Sequence, residues 1–311
     1  MQFNAGEWSV DKFDFALNDM TLYMAPDKDY RVLYMLGERG LAVDFATKRR
    51  ETIIEQRSPL RRDHRLGFLY KIRQIGERLY ASGGGGQVHR READGTCSIL
   101  DPALLDGLSR GTEILREFRK IANPTPADYE ALRVKGMADM SNILWGLGGL
   151  AEDDIYVCGD TSRIFHYDGT RFSEVPIRPP EDRSLLYVLP ETPDRVWVCG
   201  RKGALLLGNA RDGFHEAPGL AALGNDRPSF NGMAFFEGKL YLSSYSGPCG
   251  LFVHDRRTIE RVWSGLEPDI EDVSAVDAAD GVLWVMGTKD LLRFDGQRWE
   301  RFDLPGNDPV R

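Results

Sequence analysis

The stretch RLYASGGGGQVHRR, residues 78–91, decides how the whole chain is read. Four consecutive glycines, Gly83 to Gly86, follow a short apolar run. Such a run can cradle a phosphate or turn one strand into the next. A phosphate-binding P-loop needs Lys and then Ser or Thr after its last glycine, at the start of a helix. Here Gln87 and Val88 follow, and the next residues read as a strand.

Five other stretches repeat the pattern. They are RVLYMLGERGLAVDFA from Arg31, DIYVCGDTSRIFHYDG from Asp154, RVWVCGRKGALLLGNARDG from Arg195, KLYLSSYSGPCGLFVHD from Lys239 and VLWVMGTKDLLRFDG from Val282. Each has an apolar strand around a central Tyr or Trp, a small or turn residue, and a second strand. The aromatic anchors Tyr34, Tyr80, Tyr156, Trp197, Tyr241 and Trp284 are spaced by 46, 76, 41, 44 and 43 residues. Only the interval of 76 departs from a common period, and the excess falls between Asp101 and Lys135. Gly83 aligns with Gly159, Gly200 and Gly287, and Gly86 with Gly40 and Gly203. The tetraglycine is therefore one repeat's version of a strand-to-strand turn, where glycine supplies positive φ.

A second turn recurs at Asp94-Gly95, Asp168-Gly169, Asp212-Gly213 and Asp295-Gly296. Asp-Gly between apolar runs predicts a hairpin with a type I′ turn. Further strands follow it, as in RFSEVPI from Arg171, and precede each anchor strand, as in FLYKIRQI from Phe68. Each repeat thus has four short antiparallel strands, labelled a to d, in about 43 residues, the unit of a β-propeller blade. The reading is all-β, a single propeller domain over 1–311 with six four-stranded blades, seven being the alternative. The anchors read as packing between blades rather than as a stacking surface for sugars or bases. YVCGDTSRIFHYDGTRFSEVP and LWVMGTKDLLRFDGQRWERFDLP resemble the blades of bacterial propellers of the broad WD40/YVTN/BNR-like type. The resemblance spans about 250 residues and implies an architecture; such folds host many roles. The Trp-Asp dipeptide of WD40 blades and the sialidase Asp box are both absent.

Two parts break the period. Leu104, Leu108, Leu115 and Phe118 recur at helical spacing within 101–135, a helical insertion between blades 2 and 3. Thr125 is placed as an N-cap, with Pro126 at N1 and Asp128 at N3, for a second helix over 126–134. The insertion either packs on the disc or serves as a partner-docking lid. Residues 1–15 read as an extra outer strand or a degenerate blade, because the last blade has its own fourth strand ending at Leu304.

The net charge of −8 argues against general nucleic-acid binding and suits a basic partner. Cys97, Cys158, Cys199 and Cys249 include no C-x-x-C pair. Cys158 and Cys199 read as buried, and Cys249 as the most exposed thiol. No basic n-region opens the chain and no run of about 18 apolar residues interrupts it. The expectation is a cytoplasmic protein with free thiols, off the membrane.

No catalytic pattern emerges. His64, His89, His166, His215 and His254 have no metal-ligand spacing, and no G-x-S-x-G elbow is present. No cofactor or metal is expected. The loops between strands b and c, and those between d and the next a, share one end of a propeller. They carry Arg39, Arg61, Arg62, Arg178, Arg183, Arg201, Lys202, Arg227, Tyr245 and Lys289, the expected partner-binding residues. A mixed rim rich in Arg suits a protein partner. The function expected is a non-catalytic binding module, most specifically an immunity protein that neutralises a co-encoded bacterial toxin. A hydrolase or lyase acting on a sugar or small ester in the central funnel is one alternative. A structural subunit of a larger complex is the other.

Overall fold

The computed structural model describes residues 2–4, 7–9, 14–26, 29–37, 40–53, 68–108, 117–131, 143–178 and 183–306. Six antiparallel sheets of consecutive strands form the blades of a β-propeller. Blade 1 runs through Leu17–Met24, Arg31–Gly37, Leu41–Asp44 and Arg50–Thr52. Blade 2 uses Leu69–Ile75, Arg78–Gly83, Val88–Arg91 and Cys97–Ile99. Blade 3 uses Leu144–Ala151, Asp154–Gly159, Ile164–Tyr167 and Phe172–Glu174. Blade 4 uses Leu185–Thr192, Arg195–Gly200, Leu205–Asn209 and Gly213–Glu216. Blade 5 uses Gly232–Phe236, Lys239–Ser244, Gly250–His254 and Ile259–Arg261. Blade 6 uses Ala275–Ala279, Val282–Met286, Asp290–Phe294 and Trp299–Asp303.

By contacts the chain divides into two compact units. One comprises 15–197 with 208–215, and the other 1–14, 198–207 and 216–311. In the first, one core joins blades 1 and 2 through Tyr34, Leu36, Leu69, Ile72 and Leu79. Another joins blades 2 and 3 through Ile75, Tyr80, Leu147, Ile155 and Phe165. In the second, Phe236, Tyr241, Val276, Leu283 and Val285 join blades 5 and 6. All six anchors lie in b strands; five are buried and Trp284 is half-buried. For Tyr34, Tyr80 and Tyr241 the apolar burial, about 25 cal/mol per Å², falls in cores between neighbouring sheets, whereas Trp284 packs on Phe302 of its own blade.

The first unit shows why blade 3 opens with Trp145-Gly-Leu-Gly-Gly149. A Cβ on Gly146 would stand 2.4 Å from Cys158 Sγ and 3.1 Å from the blade 4 backbone at Val188. On Gly148 it would meet the Val188 carbonyl at 2.8 Å. These glycines let blades 3 and 4 approach closely.

The tetraglycine turn departs from expectation in one respect. Gly86, Gly40 and Gly203 have positive φ (75°, 78° and 70°), as predicted. Gly83 and Gly159 are instead extended, with φ of −178° and −161°. Their need for glycine is steric: a Cβ on Gly83 would lie 2.2 Å from the Phe68 carbonyl oxygen. The Asp-Gly turns are also not type I′. Only the glycines (φ 84–91°) reach the left-handed region. Asp168 and Asp295 instead accept backbone N–H bonds from the residues two and three ahead. That capture replaces positive φ at the first turn position.

Beneath the tetraglycine, the buried Gln87 amide donates to the Gly84 carbonyl at 2.7 Å and faces His89 Nε2 at 3.0 Å. Burial pushes His89 down to about 4 from its ordinary 6.5. Between those values the unfolded chain takes a proton that the folded chain refuses. Stability is therefore lost as the pH drops through this window, by at most about 1.4 kcal/mol per unit. Urea unfolding at pH 7 and pH 5 should show His89→Gln losing about 2 kcal/mol less than the parent between the two. Equal losses would show that His89 is not the group responsible.

The insertion begins with helix α1, Pro102–Leu108. The buried Asp101 caps it by accepting from Ala103 N at 2.8 Å, and its other oxygen accepts from Phe172 N in blade 3 at 2.7 Å. Residues 126–131 are helical, and Thr125 and Asp128 bond reciprocally as the capping pattern predicts. Residues 2–4 and 7–9 pair only with each other among the described residues, so they add no strand to a blade.

Candidate functional site

The b–c turns and the loops entering the next blade meet at one end of the sheets. In the first unit, Ser162 N donates to the Arg183 carbonyl at 2.7 Å. In the second, Gly203 N donates to the Pro228 carbonyl at 2.8 Å, and Val273 N to the Ser244 carbonyl at 3.2 Å. In blade 6 Thr288 N donates instead to the Asp272 carboxylate. Each junction is a short clasp that starts from a backbone N–H, so the loops present their side chains from fixed main chain.

Arg39, Arg61 and Arg62 lie outside the described residues. Arg178 is not in a loop. Ile177–Arg178 forms a short parallel strand on the outer edge of blade 4, with Arg178 opposite His215. The reason is local: after Glu174 the chain crosses at Pro176, whose carbonyl accepts from Phe214 N at 2.9 Å. Arg183 is half-buried at the clasp with Ser162.

Arg201, Lys202 and Arg227 are brought together where blades 4 and 5 join. Lys202 adopts φ 55° and donates its N–H to Ser229 Oγ at 3.2 Å. The Arg227 stem lies over Gly203, where a Cβ would come within 2.3 Å of it, and its guanidinium pairs with Glu216 at 2.9 Å. Arg201 and Lys202 stay exposed. Tyr245, 57% exposed, projects from the b–c turn of blade 5, and Lys289 from that of blade 6.

Sequence reading missed two groups at this end. In the first unit, the a strands bring Asp19, Lys71 and Arg73 together with Tyr187. Arg73 bonds Asp19 at 2.6 Å, and both cations lie 5.6 Å from the Tyr187 ring. The pairing with Tyr187 and Asp19 holds the Arg73 guanidinium above its ordinary range, despite burial acting the other way. Beside them Tyr70 packs on Trp145 at 4.5 Å, and Trp145 Nε1 donates to Asp160 at 2.9 Å. Tyr70 and Trp145 sit at register shifts in their strands. Such bulges redirect side chains, and a repeat pattern does not announce them.

In the second unit, Arg261 and Trp263 end blade 5, and Trp263 is 65% exposed. A signal was available here. Val175, Ala217, Val262 and Leu304 make equivalent backbone bonds to the third strand or the turn before it. The next residue is Pro176, Pro218 or Pro305 in three blades, and Trp263 in blade 5.

His89 and His254 are buried in c strands; His166 lies in another and meets Asp154 at 2.8 Å. Cys158 and Cys199 are fully buried, and burial pushes the Cys158 thiol well up. Cys249 and Cys97 are each half-buried. Among the described residues, no three His, Cys, Asp or Glu side chains are placed to hold a metal ion, and no helix is long and apolar enough to cross a membrane.

No family model matches the sequence. Solved structures with similar folds include the WD40 repeats of RRP9, with TM-score 0.57 and 9% identity over 94% of this chain and 81% of that one. A computationally designed protein, Ika8, has TM-score 0.55 and 11% identity over 97% and 78%. The extracellular domain of BT3049 from B. thetaiotaomicron has TM-score 0.58 and 12% identity over 94% and 36%. At these identities the likeness concerns the propeller fold alone. Among curated proteins, the chain is 31% identical over 157 residues to "Immune protein Tsi7" of Pseudomonas aeruginosa. That match takes in 50% of this chain and 48% of the relative, so the chain spans about half the length of the curated protein it matches.

Proposed function

We propose that this chain is an immunity protein, which binds a bacterial toxin and so neutralises it in the cytoplasm of the cell that makes both. The observation that carries the reading is the 31% identity over 157 residues to a protein named for immunity. The scaffold supports it. Loops clasped by backbone bonds lose little freedom on association, and that limits the ordering cost of binding. The exposed Arg201 and Tyr245 supply residue types enriched at protein interfaces, and Lys202 and Lys289 add charge of the kind found at a polar rim. None of the four cysteines forms a disulfide, in keeping with a reducing compartment.

Neutralisation by binding asks of the chain only that it occupy the toxin surface with sufficient affinity. It requires no reaction. The test is expression of the chain in a bacterial host with each gene encoded beside its own. Growth rescue from one toxic neighbour is expected, with a stoichiometric complex recovered on purification. Failure to rescue growth from any toxic neighbour would remove the reading.

A further inference from the structure

We infer that the end of blade 5 is a carboxylate-recognition site, in which Arg261, Trp263 and Tyr245 take an Asp or Glu side chain of a protein partner. The inference rests on the protein-binding reading above and names the partner's chemistry at one point.

The Arg261 guanidinium lies against Trp263 and close to Gly250. Its carbon lies 4.3 Å from the centre of the Trp263 ring. Gly250 lies against it from within blade 5: a Cβ added there would stand 3.0 Å from Nε and 3.3 Å from Cζ. Gly250 has φ of +135°, which other residues rarely adopt. Both neighbours therefore limit where the guanidinium can lie before any partner arrives.

Its donors are nonetheless unused. Among the described residues no acceptor bonds Arg261, and its buried Nε has no partner. A guanidinium carries five N–H donors and cannot shed its charge. Leaving such a group unsatisfied is unfavourable, and a carboxylate is the ligand that meets the fork through two parallel bonds.

Comparison across blades strengthens the point. At the equivalent position blades 3 and 4 carry Glu174 and Glu216. Glu174 pairs with Arg163 at 2.9 Å, from the residue that precedes the matching one on the third strand. In blade 5 Arg261 stands in place of the acid, and Gly250 in place of Arg163. The blade has exchanged an internal ion pair for a bare cation lying on glycine. Trp263 and Tyr245, 65% and 57% exposed, flank the same end of the sheet. Arg, Trp and Tyr are the residues over-represented where binding energy concentrates.

A single carboxylate fits better than a polyanion. The loop after Trp263 carries Glu267, Asp269 and Glu271, and Asp269 is already occupied by Ser264. Those charges would repel a phosphate chain, while one acid on an otherwise apolar or neutral partner surface can still reach the fork.

The experiment titrates acetyl-Leu-Asp-Leu-amide, and its Asn counterpart, into the ¹⁵N-labelled full chain. The readout is the indole N–H signal of Trp263, assigned with Trp263→Phe. The Asp peptide should shift that signal saturably and bind about tenfold tighter than the Asn peptide. Arg261→Gln should abolish the preference while the rest of the spectrum stays in place. If that variant misfolds, Trp263→Ala, a change at an exposed side chain, should weaken the Asp peptide with the Tyr245 signals as readout. Equal response to the two peptides, no response, or a preference unchanged by either substitution would overturn the site. Growth rescue without a peptide preference would overturn this site and leave the immunity reading intact. A peptide preference without rescue would do the reverse.

Discussion

Arg91→Ala lowers the unfolding free energy by about 3 kcal/mol, measured by urea denaturation at pH 7. Arg91 Nε and Nη2 reach the two oxygens of Glu51 at 2.5 and 2.8 Å. The two side chains are 18% and 5% exposed. The carboxylate sits in the core side of the cleft between blades 1 and 2, and it holds the guanidinium above its ordinary range. Removing the arginine leaves a buried anion that, among the described residues, has only Arg49, 3.8 Å away and largely exposed, to attend it. That residual contact keeps the expected loss at the lower end for a broken buried pair. The double change Glu51→Leu with Arg91→Leu should recover part of the loss, because no charge is then left without a partner. If the double variant were less stable than Arg91→Ala by the full effect of a second substitution, the pair would be two independent contacts.

Gly83→Ala is expected to cost about 3 kcal/mol, although alanine accepts the backbone angles there. The clash is with main chain: a Cβ would stand 2.2 Å from the Phe68 oxygen and 2.7 Å from Leu69 Cα. Leu69 is paired with Gly83 across the sheet, so neither can withdraw without opening the ladder. Gly86→Ala is the control. It has φ of 75° and should cost about 1 kcal/mol, the ordinary penalty for a side chain in the left-handed region. Denaturant midpoints of the two variants compare them directly. A Gly83→Ala protein as stable as the Gly86→Ala protein would mean that positive φ, not close approach, is what the tetraglycine provides.

The fold was legible because one physical demand recurs. Each blade must bury an aromatic b strand against its neighbour, and the sequence repeats that demand six times. The turn chemistry was less legible. Asp-Gly is compatible with type I′, but an Asp side chain can bond the backbone ahead of it, and at Asp168 and Asp295 that local competition wins. Blade 5 does the same without glycine: Asp255 bonds Arg257 and Thr258, and Arg256 takes φ of 85°. The site was legible only in outline. Arg201, Lys202 and Arg227 could be placed together because loop order follows strand order. Trp263 stands out at a position that is proline in three other blades, but Arg261 could not be singled out by residue type, since arginine in an edge strand is ordinarily solvated. Their meaning comes from what lies on either side, Gly250 beneath and no acid alongside.

Every blade is made of consecutive strands, and the described cores join blades that follow one another in sequence. The exception, Ile177–Arg178, reaches only as far as the edge of the next blade. During synthesis the ribosome therefore releases each sheet whole, with its packing surface already present on the blade made just before. Such a chain can consolidate from its N-terminal side as it emerges, because the face a blade shows to its successor waits only for the next sheet to be made.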